Sequence, residues 1–176
     1  MKYTESDIKK YNDFFSSSDY LKILQTVNSP NWMFGHGSYH DSDPRSRKGY
    51  PFWVMGLENN PFFTDYLLNI IKEKTNQDYE LYDVYANGHT FGTKGSFHVD
   101  WHDDRGRTFL FYANETWDVD WGGKTAFDLG QENYYFHVPK PNSALLFPGI
   151  ISHTAEGPTR SFIGLRVTIA WKLLLK

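Results

Sequence analysis

Apolar positions recur at two different periods along this chain, and the change of period falls near residue 78. In residues 4–27, Ile8, Tyr11, Phe14 and Phe15 stand at helical spacing behind a candidate cap, Ser6, and predict a helix. The run Ser16-Ser17-Ser18-Asp19 interrupts it and offers the cap of a second stretch carrying Tyr20, Leu21, Leu24 and Val27. Asn28-Ser29-Pro30 ends that stretch, because a residue before proline avoids the helical region. Asn31 to Phe34 reads as a short strand. Gly35 to Gly49 is polar and too long for a simple turn, which predicts a lid facing a substrate; its His36, His40 and Asp41 read as solvated polar residues. Asn60 and Pro61 then suit the cap and first position of a helix. Phe62, Phe63, Tyr66, Leu67, Ile70 and Ile71 form its apolar stripe, through about residue 74, expected to pack on the outside of a sheet.

From Tyr79 the texture becomes short β-rich runs: Tyr79–Ala86, Ser96–Trp101, Thr108–Ala113, Thr125–Leu129, Tyr134–Val138, Ala144–Phe147, His153–Ala155 and Gly164–Leu173. Asn87-Gly88, Asp103-Asp104-Arg105-Gly106, Gly122-Gly123, Pro139 to Asn142 and Pro148-Gly149 punctuate them as turns. Many short strands at this spacing predict an α+β chain with a mainly β core, a jelly roll supported by N-terminal helices. No linker or repeat divides the sequence, so residues 1–176 read as one domain. In it, 1–78 are mainly helical support and lid loop, and 79–176 are the jelly-roll core.

Composition narrows the chemistry. The chain has no cysteine, so any metal would sit on His, Asp, Glu or water. A formal net charge of -3 gives no electrostatic case for nucleic acid or anionic lipid, and no apolar run is long enough to span a membrane. Met1-Lys2-Tyr3-Thr4-Glu5 lacks a signal-peptide apolar core, so the expected compartment is the cytoplasm. Aromatics make up 18% of residues, which suits both a large β core and an aromatic-lined pocket.

If Ser96 to Trp101 is a strand, alternation turns His98 and Asp100 to the same face. A third ligand stands far downstream at His153, where the Ala144–Phe147 strand and a Pro148-Gly149 turn deliver the chain. Two histidines and a carboxylate on one side of a metal form the facial triad of non-haem Fe(II) oxygenases, and the same set also suits catalytic zinc. His102 and Asp104 repeat the His-x-Asp spacing but run into turn chemistry, so the first pair is preferred. In the terminal strand, Arg166 and Thr168 share a face opposite Leu165, Val167 and Ile169. A guanidinium there requires an anion, either a protein carboxylate or a substrate carboxylate.

His98-Val99-Asp100, Phe111-Tyr112-Ala113-Asn114, Trp117-Asp118, Gly122-Gly123, Leu145-Leu146-Phe147, His153 and Arg166 resemble, in order, the Fe(II)/2-oxoglutarate dioxygenases of the prolyl 4-hydroxylase type. The resemblance covers roughly Tyr85 to Trp171 and implies a double-stranded β-helix (jelly-roll) core with helices packed outside it. It further implies His98, Asp100 and His153 as iron ligands, and Arg166 with Thr168 on the far carboxylate of 2-oxoglutarate. Tyr112 would bond the same carboxylate, and Tyr85 would stand in the pocket. Fe(II), 2-oxoglutarate and O2 are the implied cofactors, with ascorbate as an optional addition. The implied partner is a peptide or protein carrying a prolyl residue; a free amino acid, another side chain or a nucleobase is the alternative within the same chemistry. Lys124 replaces the common acidic residue after Gly-Gly. The longer His153 to Arg166 interval makes Arg160 a rival carboxylate binder. Gly35 to Gly49 and Trp117 to Trp121 are the candidate closing elements. Outside this class, a zinc hydrolase or cupin-like enzyme and a non-catalytic jelly-roll binding module remain open.

Overall fold

The computed structural model describes residues 3–38 and 50–176. Ten strands lie among them: β1 (Lys9–Tyr11), β2 (Met33–His36), β3 (Phe52–Gly56), β4 (Tyr79–His89), β5 (Gly106–Tyr112), β6 (Thr125–Asp128), β7 (Tyr134–His137), β8 (Ala144–Pro148), β9 (Ser152–Ala155) and β10 (Arg166–Leu175). Seven form one sheet in the order β1-β8-β5-β10-β4-β3-β2, and three form a second in the order β7-β6-β9. Every strand pair is antiparallel. The two sheets face each other as the jelly roll expected from the strand pattern.

Alternation along β10 explains how one strand serves two environments. Val167, Ile169, Trp171 and Leu173 are buried in the core between the large sheet and the helices. On the opposite face, Ala170 joins Leu110, Tyr112, Leu145 and Phe147, which meet Phe127, Leu129 and Ile151 in a second core between the sheets. Helix α1 (Ser17–Val27) and α2 (Leu67–Thr75) cover the first face through Ile23, Val27, Leu67 and Ile71. Before α2 the chain makes a wider turn, Phe62–Tyr66, in which the Leu67 N–H donates to the Phe62 carbonyl. Asn60 caps this helix, its Oδ1 accepting the Phe62 N–H at 3.0 Å. Trp171 ties helix to sheet by donating its Nε1–H to the Phe63 carbonyl at 3.0 Å. Tyr66, counted in the apolar stripe, is instead 51% exposed.

The expected helix over residues 4–27 is broken. Only a 3-10 turn (Glu5–Asp7) precedes β1, which pairs with β8 and forms one edge of the large sheet, and α1 begins at Ser17. An extended Lys9–Tyr11 lets Ile8 enter the core between the sheets while Phe14 and Phe15 enter the core under the helices, which one helical stripe could not do. Asn142 then fixes this entry: its carbonyl accepts the Phe14 N–H, and its amide pairs with both backbone groups of Phe15. Ser16 caps α1 by accepting the Asp19 N–H at 3.1 Å. The first 78 residues thus supply three strands of the large sheet as well as helices. Most of the expected lid, residues 39–49, lies outside the described residues. Asn87-Gly88 is no turn; it continues β4, and Gly88 leaves room for Leu165, whose Cδ2 would be 2.7 Å from a Cβ there. No helix among the described residues is long and apolar enough to cross a membrane.

Phe15 is 2% exposed and packs on Phe111 and Trp171 with ring centroids at 5.0 and 6.2 Å. Phe15→Ala is expected to lower stability by about 3 to 5 kcal/mol in urea unfolding. A loss below about 1 kcal/mol would mean that the N-terminal segment does not pack on the sheet.

Candidate metal centre

His98, Asp100 and His153 come together, with one ligand atom from each lying within 4.8 Å of the others. The expected strand Ser96–Trp101 is a single bridge, His98 with His153, inside an otherwise irregular extended segment. Backbone bonds to a second segment replace the missing ladder. His98 and His153 exchange N–H and C=O at 3.1 and 2.9 Å, the Gly95 N–H reaches the Ala155 carbonyl, and the Asp100 and Trp101 N–H groups share the Gly149 carbonyl. Gly106 and Gly149 leave the space that Trp101 fills, since its ring atoms would be 2.2 Å from a Cβ at either. The two histidines are therefore neighbours because residues 95–101 lie against residues 149–155.

Each imidazole is oriented in the same way. His98 Nδ1 is 2.8 Å from the Ser96 carbonyl, and His153 Nδ1 is 2.9 Å from the Ile151 carbonyl. A carbonyl only accepts, so each Nδ1 carries the proton. Nε2 of His98 then faces Asp100 Oδ1 at 3.3 Å, and Nε2 of His153 faces Asp100 Oδ2 at 3.4 Å. Burial lowers the His153 pKa, with Asp100 opposing, so its Nε2 presents a lone pair to a carboxylate oxygen. Acceptors turned on one another at this range call for a cation between them, and two imidazoles with one carboxylate are the donor set of a borderline divalent metal.

Asp100 has further partners that the sequence pattern did not single out. Its side chain is only 4% exposed, and Oδ2 meets the Lys172 ammonium and accepts the Thr108 hydroxyl. Burial alone would raise this carboxyl's pKa, but Lys172 and then His153 hold it well below the usual range. Burial likewise acts against the Lys172 ammonium, and Asp100 followed by Tyr85 more than offsets it. Lys172 stands six residues beyond Arg166, on the same face of β10. A lysine in an apolar strand was the same signal that marked Arg166.

The triad opens into a cavity of about 380 Å³. Its floor is a ladder of facing pairs on β4 and β10: His89 with Arg166, Asn87 with Thr168, Tyr85 with Ala170, and Asp83 with Lys172. Arg166 closes one end, fully buried, with Nε donating to the Gly123 carbonyl and Nη2 to Thr125 Oγ1. No carboxylate pairs with it among the described residues, and its Nη1 has no hydrogen-bond partner there. Asn114 sets the backbone on both sides of Arg166, its amide donating to the Leu165 carbonyl and accepting the Val167 N–H, both at 2.8 Å. Gly122 and Gly123 have φ of 67° and 66°, and a Cβ at Gly123 would meet Arg166 Cδ at 2.9 Å.

Thr168 and Tyr85 line this cavity as expected. Tyr112 does not: its hydroxyl is 2.7 Å from Thr125 Oγ1, so it buttresses the threonine that holds Arg166. Burial pushes the Tyr112 pKa up to about 12. His102, Asp104 and Arg160 are exposed and lie off the cavity. Trp117 and Trp121 pack with Phe162, at centroid distances of 4.9 and 4.7 Å, behind the Gly-Gly turn rather than over the cavity, so the closing role expected of them is not what their packing does. His36 is at the cavity wall, edge-on to Tyr85 and Phe52.

No family model and no curated protein matches the sequence. Solved structures do match. A prolyl hydroxylase of Trichoplax adhaerens, in complex with a hypoxia inducible factor oxygen degradation domain peptide fragment, superposes with a TM-score of 0.68 at 14% identity, over 96% of this chain and 83% of the other. A Pseudomonas putida prolyl-4-hydroxylase gives 0.68 at 12% identity, over 97% of this chain and 93% of the other. HygX of Streptomyces hygroscopicus, with nickel, 2-oxoglutarate and hygromycin B bound, gives 0.61 at 12% identity, over 96% and 82%. The chain has the double-stranded β-helix fold of these oxygenases.

The charge balance around Asp100 gives a direct test. Lys172→Met leaves a buried carboxylate without its ammonium and is expected to destabilise the metal-free protein by about 3 to 5 kcal/mol. A bound divalent ion restores the missing charge, so added Mn(II) should raise the melting temperature of the variant more than that of the wild type. Equal metal-induced shifts in the two proteins would contradict this account of Asp100.

Proposed function

We propose that the protein is an Fe(II)- and 2-oxoglutarate-dependent oxygenase. The carrying observation is the mutual facing of His98 Nε2, His153 Nε2 and both Asp100 oxygens at the wall of a cavity whose other end holds a buried cation with a free N–H. These donors fit the metal, and His98, Asp100 and His153 would hold it. When bound, Fe(II) with O2 and 2-oxoglutarate supplies the oxidising chemistry, yielding succinate and CO2 and placing a hydroxyl on a substrate C–H.

The chain's own residues supply orientation and shielding. Arg166 neutralises the far carboxylate of the cosubstrate, and Thr168, one alternation further along β10, adds a hydroxyl on the same face. Tyr112 and Thr125 keep the guanidinium in place from behind. Tyr85, Leu110 and Phe52 line the wall between the two ends and limit water. Lys172 and Thr108 hold Asp100 Oδ2, which fixes the carboxylate's orientation toward the histidines. Residues 1–176 act as one catalytic unit, since β2 and β3 complete the sheet on which the cavity rests.

The acceptor is a prolyl residue of a peptide or protein. The Trichoplax structure, which carries a peptide fragment, supports a peptide, while the hygromycin B bound by HygX keeps small-molecule acceptors as the second reading.

Aerobic incubation with Fe(II), 2-oxoglutarate and ascorbate is expected to release succinate, and EDTA to stop it. Arg166→Ala should raise the 2-oxoglutarate concentration required by at least about tenfold. Turnover supported by zinc without 2-oxoglutarate would move the protein to the hydrolases, and absence of succinate release under all acceptors tried would remove the oxygenase assignment.

A further inference from the structure

The Arg166 end of the cavity contains a second buried polar group that no hydrogen bond among the described residues uses. His89 is 1% exposed, and neither ring nitrogen has a hydrogen-bond partner among the described residues. Buried polar groups are nearly always bonded, and leaving one unmet costs about 1 to 3 kcal/mol. Packing nevertheless fixes the ring, which stacks on Phe52 with centroids 4.4 Å apart and planes 30° from parallel. His89 is the direct partner of Arg166 in the β4–β10 ladder, so both side chains leave the sheet on the same face, their Cβ atoms about 5 Å apart. Both line the cavity.

Arg166 keeps only part of its donor set for a ligand. Its Nε–H and one N–H of Nη2 are spent on Gly123 and Thr125, which leaves the two N–H groups of Nη1 and the second of Nη2. A carboxylate has about four lone-pair sites, so a further donor beside Arg166 is still accommodated in a dry site. Resting on the oxygenase reading above, we infer that His89 is a cosubstrate-binding residue, donating an N–H to the far carboxylate of 2-oxoglutarate beside Arg166 Nη1. Burial, then the neighbouring Arg166, pushes the imidazole's pKa down to about 3, so the ring is neutral with one N–H and one lone pair. The N–H suits an anion. The lone pair and Asn87 Oδ1, also unpartnered two residues back on the same face, need a donor, which one enclosed water can give to both.

Calorimetric titration of the Zn(II)-loaded full chain separates this from the underlying assignment, because it reads binding without turnover. Pyruvate, a 2-oxo acid without the far carboxylate, is the internal reference. His89→Phe keeps the stack on Phe52 and removes both nitrogens. It should weaken 2-oxoglutarate about tenfold, equivalent to ~1.4 kcal/mol, and leave pyruvate unchanged. His89→Gln restores an N–H and should recover most of the loss. His89→Leu gives the same measurement if the phenylalanine variant does not fold. Unchanged 2-oxoglutarate affinity, or equal weakening of both acids, overturns the role of His89 while Arg166→Gln still tests the cosubstrate site. If the wild type binds neither acid, the oxygenase assignment falls and this role with it.

Discussion

A carboxylate as buried as Asp100 cannot stand without compensation, and much of the inner architecture follows from meeting that need. Its two oxygens face two histidines, an ammonium and a hydroxyl drawn from four separate parts of the chain. Burying the ion without the ammonium and hydroxyl would be prohibitive, and pairing with them alone still leaves each oxygen facing an imidazole Nε2. A divalent cation resolves that conflict. In the metal-free chain Lys172 carries the balance and holds Asp100 in place.

The same logic, with opposite sign, operates at the other end of the cavity. Arg166 is buried with partners on two of its three nitrogens, all of them neutral oxygens. The fold surrounds it with deliberate fixtures: Asn114 on the flanking backbone, the Gly122-Gly123 turn that makes room for its stem, and Tyr112 behind Thr125. A cavity with a cation-hungry cluster at one wall and an uncompensated guanidinium at the other matches a ligand that is itself a chelator at one end and a carboxylate at the other.

Much of this was legible in the sequence. Apart from residues 96–101, the strands from Tyr79 onward follow their apolar runs to within a few residues, because alternation and turn residues agree there. His98 and Asp100 were visible through their alternate spacing, His153 as the third ligand that such a pair needs, and Arg166 as a charge within an apolar strand. The N-terminal helix was not, since Ile8 and Phe14 serve different cores, and the open edge of β8 captured the backbone between them. Asn87-Gly88 has turn composition, yet pairing with Val167 and Thr168 on one side and with Trp53 and Val54 on the other keeps it in a strand. Residues 95–101 hold their geometry through bonds to residues 149–155, a pairing that no local pattern announces. Tyr112 was placed on the right strand, but only its contact with Thr125 reveals that its hydroxyl is already engaged. His89 was missed because its meaning lies in Arg166, which stands opposite it across a ladder, and Lys172 because its partner Asp100 comes from a distant segment.

Anomalous X-ray diffraction from crystals of the Mn(II) protein grown with 2-oxoglutarate tests the central claim most directly. The account predicts one manganese peak bonded to Nε2 of His98, Nε2 of His153 and a carboxylate oxygen of Asp100, at about 2.0 to 2.3 Å, with density for the oxo acid running from it toward Arg166. A peak elsewhere, or histidines that keep facing an ion-free Asp100 in the presence of excess metal, would contradict it.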